Sequence, residues 1–252
     1  TVLVFFIKGF KQFCLQALRE GYSVFLYSGE MTDWSVREWI DRQAAGPEYI
    51  SKTETQFGDV YTVDNSVVDD IGSWYRGRCF IYDNGIVDDE AEEETLLTTI
   101  ETSIKQYGCR VLLIDNLMTA METVQNGKDV NLAQSRLVGE LSDIAKTRDV
   151  AILLVAHPKK GESDDLNDWV SGSSDVTNKA DVVMTYMRGE NQDHKGELQV
   201  SKSRIYGKYV LGKNAIKLTY SEATKRIASY EYGKKRVYGW DKDNPNADFY
   251  DI

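Results

Sequence analysis

Arg110-Val111-Leu112-Leu113-Ile114-Asp115-Asn116 is the stretch on which the reading of this chain turns. Its run of aliphatic residues describes a strand covered on both faces. The carboxylate that ends it stands where nucleotide-hydrolysing α/β proteins hold an acid beside Mg²⁺. An Asp in that position also caps a following turn or helix, so its meaning depends on what flanks it.

Outward from that strand, β-like and helix-like segments alternate. Thr1 to Ile7 reads as a buried strand that begins at the first residue, which suggests a piece of a longer chain. Gln12 to Glu20 has helical spacing and is stopped by Gly21; Ser23 to Tyr27 is a second strand. Strand, helix, strand predicts a parallel pair. Thr32 or Asp33 caps a helix through Ala45, ended by Gly46-Pro47. Residues 48–64 suggest a hairpin. A short helix over Val67 to Tyr75, a strand over Arg78 to Tyr82 and a helix over Glu90 to Tyr107 follow, and a polar stretch comes after Asp115. Asn131 to Lys146 is an amphipathic helix, and Val150 to Ala156 a strand apolar on both sides. From Asp181 onward only strands are expected: Asp181 to Arg188, Leu198 to Ser201, Ala215 to Thr219 and Ile227 to Tyr230. The fold class expected is α/β: a parallel sheet core with helices on both faces, extended by antiparallel strands. Residues 1–232 form one domain in this reading, and residues 233–252 a polar surface arm without a periodic apolar face.

Three cysteines with neither metal-ligand spacing nor an even-numbered framework point to a reducing, cytoplasmic setting. No apolar run is long enough to span a bilayer, so no membrane partner is expected. A net charge of −10 argues against general coating of nucleic acid but leaves room for a local basic lining. Asp88-Asp89-Glu90 and Glu92-Glu93-Glu94 read as a solvated helix start.

In an open parallel sheet, ligands bind outside the carboxyl ends of the strands. Three ends here carry polar groups: Ser28-Gly29-Glu30-Met31, Asp115-Asn116 and His157-Pro158-Lys159-Lys160. Glu30 as base for a water, Asp115 as holder of a Mg²⁺-bound water and His157 as sensor of a terminal phosphate make one consistent division of labour. The bland alternatives are a capping Glu30, a turn-forming Asp115 and a His157 bonded to backbone. Lys202 and Arg204 lie two residues apart on an extended segment and so point the same way. They either pair with surface carboxylates or reach a phosphate, including one on a neighbouring subunit.

With these residues in order, the chain resembles hexameric replicative DNA helicases of the DnaB type, and especially the helicase half of phage primase-helicases, over nearly its whole length. Ser28-Gly29-Glu30-Met31 resembles the motif with the catalytic glutamate, and Leu113-Ile114-Asp115-Asn116 the Walker B strand. Val155-Ala156-His157-Pro158-Lys159-Lys160 resembles the phosphate-sensing segment. Ser171-Gly172-Ser173-Ser174 with Asn178-Lys179-Ala180-Asp181 is similar to the family's Gly-Ser-Gly loop and following helix. Lys202-Ser203-Arg204 resembles the piston lysine and the arginine finger that serve the neighbour's ATP. Arg188 and Tyr220 fall where the family sandwiches the nucleotide base.

The resemblance implies a RecA-like ATPase domain in a ring of identical subunits, a hexamer, that uses ATP or another NTP with Mg²⁺. It implies a replicative helicase motor of the 5'-3' type, translocating on single-stranded DNA in a bacterial or phage-infected cell, with a primase domain or protein as a possible partner. Asp115 is the implied metal residue. The loops carrying Lys159, Lys160, Gly172, Ser173 and Lys179 are the implied DNA contacts.

One departure stands out. The family's GxxxxGK[ST] loop should follow the first strand, yet only Lys8-Gly9-Phe10-Lys11-Gln12 intervenes before the helix. Five residues cannot turn enough backbone N–H groups inward to cradle phosphates, so as written the chain is expected to bind ATP poorly. Either the loop was lost or residues are missing there; the intact order of the other motifs favours the second. Neither Lys8 nor Lys11 is assigned to the loop. Two competing readings remain: a recombinase-type ATPase, and a non-catalytic ring or nucleic-acid-binding module that keeps the fold without turnover.

Overall fold

Period-two alternation along the central strands sends successive side chains to opposite faces, and each face is roofed by helices. The computed structural model describes residues 2–6, 11–83, 95–122, 130–156, 174–188, 196–205, 207–229 and 236–241. In chain order the elements are β1 (Val2–Phe6), α1 (Lys11–Arg19), β2 (Ser23–Ser28), α2 (Asp33–Ala45), β3 (Ile50–Thr55), β4 (Gly58–Val63), α3 (Asn65–Tyr75), β5 (Cys79–Ile81) and α4 (Leu96–Tyr107). They continue with β6 (Cys109–Asp115), α5 (Leu117–Glu122), α6 (Val130–Thr147), β7 (Ala151–Val155), α7 (Ser174–Lys179), β8 (Val182–Arg188), β9 (Gly196–Ser203), β10 (Ile216–Tyr220) and β11 (Ile227–Ser229).

The main sheet has the order β11-β10-β9-β8-β1-β7-β6-β2-β5. From β8 to β5 neighbouring strands are parallel, and β9, β10 and β11 extend the sheet antiparallel. The expected parallel core with an antiparallel extension is therefore what forms. The pairing differs from expectation, because β1 and β2 are not neighbours: β7 and β6 lie between them. A crossover helix fixes direction but not adjacency, and later strands are free to insert. The hairpin expected in residues 48–64 is β3–β4, a separate two-stranded sheet. A second difference is α5, a short helix in the stretch read as polar after Asp115.

Phe25 and Tyr27 of β2, Leu112 and Ile114 of β6, and Ile152 and Leu154 of β7 face α4, α5, α6 and α7. Val24 and Leu26, Leu113, and Leu153 and Val155 face α1, α2 and α3. Burying each such side chain contributes about 1.5–3 kcal/mol, so these two layers supply most of the apolar stabilisation. Cys14, Cys79 and Cys109 are free cysteines within or beside these cores, and burial pushes the Cys14 thiol up to about 12. Among the described residues no helix is long and apolar enough to cross a membrane.

The expected surface arm needs correction where it is described. Tyr238 is fully buried and Trp240 nearly so, both in the α1–α3 core. Tyr238 packs on Trp74, Trp240 on Tyr49, and the Trp240 indole donates to the Ala44 carbonyl at 2.9 Å. Two aromatics anchor a segment without any periodic face, so periodicity missed them. Trp240→Ala should lower unfolding free energy by about 3 kcal/mol in urea titrations; a surface arm would leave the midpoint unchanged.

Asp41 on α2 accepts a hydrogen bond from the Tyr75 hydroxyl at 2.9 Å. Burial raises its carboxyl from 3.8 to about 6, against the opposing effects of Tyr75 and Arg37. The folded state therefore holds more protons than the unfolded between those values, and stability falls as pH rises through that window, by up to about 3 kcal/mol. Chemical denaturation across pH 4 to 6 should show this slope, and Asp41→Asn should flatten it.

Candidate nucleotide site at the carboxyl edge

Asp115 ends β6 beside Ser28, the last residue of β2, so the two parallel strands deliver the acid and the Ser28-Gly29-Glu30 segment to one rim. The Gly29 N–H donates to the Asp115 carbonyl at 2.8 Å and closes that rim. Asn116 joins the two arms. Its side-chain oxygen accepts from the N–H groups of Met118 and Thr119 at 2.9 and 3.2 Å and so caps α5, while its amide nitrogen donates to Glu30 Oε1 at 2.7 Å. One side chain thus starts a helix and aims a carboxylate. The Asp115–Asn116 peptide is cis.

Lys11, the first residue of α1, lies beside Asp115, with Nζ 3.4 Å from Oδ2. Both side chains are buried, at 3% and 9% exposure. The sequence left Lys11 unassigned because no GxxxxGK[ST] pattern surrounds it. Its position at the opening of the first helix was the available signal. The next residue, Gln12, is committed elsewhere: its amide donates to the Ile227 carbonyl at 3.0 Å and accepts from the Ile227 N–H at 2.9 Å, as a paired strand would. Where the family pattern has a Mg²⁺-binding hydroxyl, this chain has a latch to β11.

Asp115 Oδ1 is buried and has no hydrogen-bond partner among the described residues. Those residues also contain no cluster of three or more His, Cys, Asp or Glu suited to a metal. An orphaned carboxylate oxygen beside a lysine fits Mg²⁺, which takes one or two carboxylates and completes its shell with water and phosphate. Asp115 would be the protein ligand, and Mg²⁺ there would neutralise phosphate charge.

Lys202 and Arg204 point the same way, as strand alternation requires. Lys202 Nζ donates to the carbonyls of Thr177 and Asn178 at 2.5 and 3.0 Å, and Arg204 Nη2 to Asn178 at 2.6 Å. The last turn of α7 thus gains donors for carbonyls left open at a helix end. Burial lowers the Lys202 pKa, and neighbouring Arg204 adds to the effect. Ile114, Leu154, Val4, Val183 and Lys202 form one row across the sheet. Lys202 is therefore four strand spacings from β6, roughly 19 Å, and β9 runs on from it away from the rim with Asp115. The two cations cannot serve their own chain's Asp115.

Arg188 ends β8, and Tyr220 ends β10, so both backbones reach the Asp115 rim. Tyr220 is half-buried, which raises its pKa; the side chain of Arg188 lies outside the described residues. Lys179, expected at a DNA-contacting loop, instead donates to the Ser135 carbonyl and hydroxyl at 2.5 and 2.9 Å, fastening α7 to α6. His157, Lys159, Lys160, Gly172, Ser173 and residues 7–10 lie outside the described residues, as do the acidic segment 88–94 and Trp169.

A parallel core with helices on both faces, an acid-tipped central strand and an antiparallel extension is the RecA-like α/β class. No family model and no curated protein matches the sequence. Among solved structures the chain is similar to a helicase ATPase domain, at 17% identity over 90% of this chain and 84% of that one, with a TM-score of 0.65. It is also similar to a DnaB-like replicative helicase studied with its interactions with primase, at 16% identity over 90% of this chain, TM-score 0.63. The chain spans 56% of that second protein's length. The fold is that of the ATPase domain of DnaB-type replicative helicases.

Gly29 makes the close approach of the two strand ends possible: a Cβ there would collide with the Thr119 side chain. Gly29→Ala should destabilise the protein by about 1–3 kcal/mol. Gly72→Ala, in α3 with open space around the added carbon, should stabilise it by about 0.5–1 kcal/mol. Thermal unfolding of the pair checks both signs.

Proposed function

We propose that this chain is the ATP-driven motor domain of a replicative DNA helicase, working as a ring of identical subunits, in this reading a hexamer, around single-stranded DNA. The observation that carries the reading is the division of the site. Lys11, Asp115, Asn116 and Glu30 form one connected group at the sheet's carboxyl edge, while Lys202 and Arg204 stand together beyond its reach.

In this reading Lys11 grips the terminal phosphates and exchanges its Asp115 partner for them. Asp115 takes the Mg²⁺. Glu30, aimed by Asn116, accepts a proton from the attacking water, a role that contributes about 10²–10⁴ in rate. His157, just after β7, senses the terminal phosphate, and Arg188 and Tyr220 enclose the base. Lys202 and Arg204 leave the α7 carbonyls for a neighbour's triphosphate, where a trans arginine stabilises charge developing in the transition state. Lys159, Lys160, Gly172 and Ser173 hold DNA phosphates, with Lys179 as the fastener of the adjoining helix. A phage origin, the 5'-3' type of motion and a primase partner belong to the same reading.

A second reading, a non-catalytic ring or binding module, draws on Gln12, whose amide is spent on β11 where a metal-binding hydroxyl is expected. DNA-stimulated ATP hydrolysis separates the two. Glu30→Gln should cut turnover by a factor of about 10² or more with nucleotide binding retained. Arg204→Ala should abolish turnover too. Mixing the two inactive variants should restore part of it, because some interfaces then pair an intact Glu30 with an intact Arg204. No recovery on mixing would remove Arg204 from the neighbour's site, and no hydrolysis by the unmodified protein would favour the second reading.

A further inference from the structure

The turn between β10 and β11 is held with more care than a surface turn requires. Arg42 donates from Nε to the Ala223 carbonyl and from Nη2 to that of Glu222, at 2.8 and 2.7 Å, and the Gln43 amide donates to the Lys225 carbonyl at 2.8 Å. Gln12 fixes the start of β11 from below. Within this frame Lys225 has a φ of 56°, a left-handed conformation that a side chain with Cβ adopts reluctantly.

That strained backbone delivers a cation to a specific place. Lys225 Nζ sits 5.4 Å from the centre of the Trp39 ring, and Lys11 Nζ sits 5.0 Å from the same ring. Two ammonium groups sharing one indole is an arrangement that repulsion opposes, and the quadrupole of the ring offsets it only in part. Lys225 has no salt bridge among the described residues; Glu38 and Glu222 act on it only at longer range. Burial and the nearby Arg42 both disfavour its charge. In a chain of net charge −10, Lys11, Arg42 and Lys225 gather around Trp39 with Asp115 as the carboxylate in contact with Lys11. Such a cluster is built to receive an anion with several charges, and Lys11 already identifies its class.

We propose that Lys225 is a second cation for the polyphosphate of the nucleotide bound by its own chain, carried on the Trp39 ring beside Lys11 and supplied by the β10–β11 turn. This rests on the reading of Lys11 and Asp115 as a Mg²⁺-nucleotide site. It also gives the Gln12 latch a purpose: the residue that in the family pattern binds metal here holds the strand that brings a compensating charge. A lysine that reaches the phosphates from the antiparallel extension ties that extension to occupancy of the site.

The test is equilibrium binding of a slowly hydrolysed ATP analogue with Mg²⁺, and of AMP, to the unmodified protein, Lys225→Gly and Lys225→Arg. Glycine suits the left-handed turn, so Lys225→Gly should unfold at the same temperature or higher. Its affinity for the triphosphate should fall roughly tenfold, the loss of one charge-assisted contact, and its affinity for AMP by much less. Lys225→Arg should bind the triphosphate nearly as well as the unmodified protein. Unchanged triphosphate affinity in Lys225→Gly overturns the proposal, and so does an equal loss for AMP. A failure of the unmodified protein to bind the triphosphate at all would instead strike at the Lys11–Asp115 site itself.

Discussion

A carboxylate at the tip of a strand covered on both faces has to find a counter-charge, and the site follows from how Asp115 finds one. Removing one member of a buried ion pair leaves the other stranded, at a cost of about 3–5 kcal/mol. Lys11 therefore holds the first turn of α1 against the end of β6, and that contact fixes where the β1–α1 connection meets the rim. The same pairing is exchangeable, because a lysine that leaves an acid for a phosphate, while the acid takes a metal, keeps every charge compensated. One contact thus serves both the stability of the edge and its readiness for ligand.

The second long-range constraint comes from the far end of the chain. Arg42 and Gln43 near the end of α2 hold the β10–β11 turn, and Arg226 returns the contact by donating to the carbonyls of Gln43 and Ala44. Trp240 adds a further donor to Ala44, and Tyr238 lies under Arg226. The open carbonyls at the end of α2 are thereby satisfied by residues some 180 to 200 positions later. Glu30 sits just before the start of this helix, so the antiparallel extension braces the element that positions the proposed base.

Lys202 and Arg204 make the opposite arrangement. Their donors rest on the last carbonyls of α7, a favourable place for positive charge at a helix end. Arg204 is nevertheless exposed, and a partly desolvated Lys202 gains from a stronger acceptor than a peptide carbonyl. The chain therefore carries half of one site at its rim and, in the proposed ring, half of another on the strand that runs away from it. That separation is a property of the sheet order, four strands wide.

The sequence by itself determined the class of fold, because strands such as Val111 to Ile114 and Ala151 to Val155 are apolar on both sides and alternate with amphipathic helices. It also marked Glu30 and Asp115 as strand-end acids, and the common direction of Lys202 and Arg204, since period-two alternation is local. Adjacency was not local. That β7 and β6 separate β1 from β2, that Asn116 bonds Glu30 from a strand 86 residues away, and that Tyr238 and Trp240 enter the core all depend on contacts between distant segments. Lys11 shows the difference most clearly. Its neighbours in sequence match no phosphate-binding pattern, and only the packing of α1 against β6 placed its ammonium on Asp115, because a buried charge chooses its partner in space.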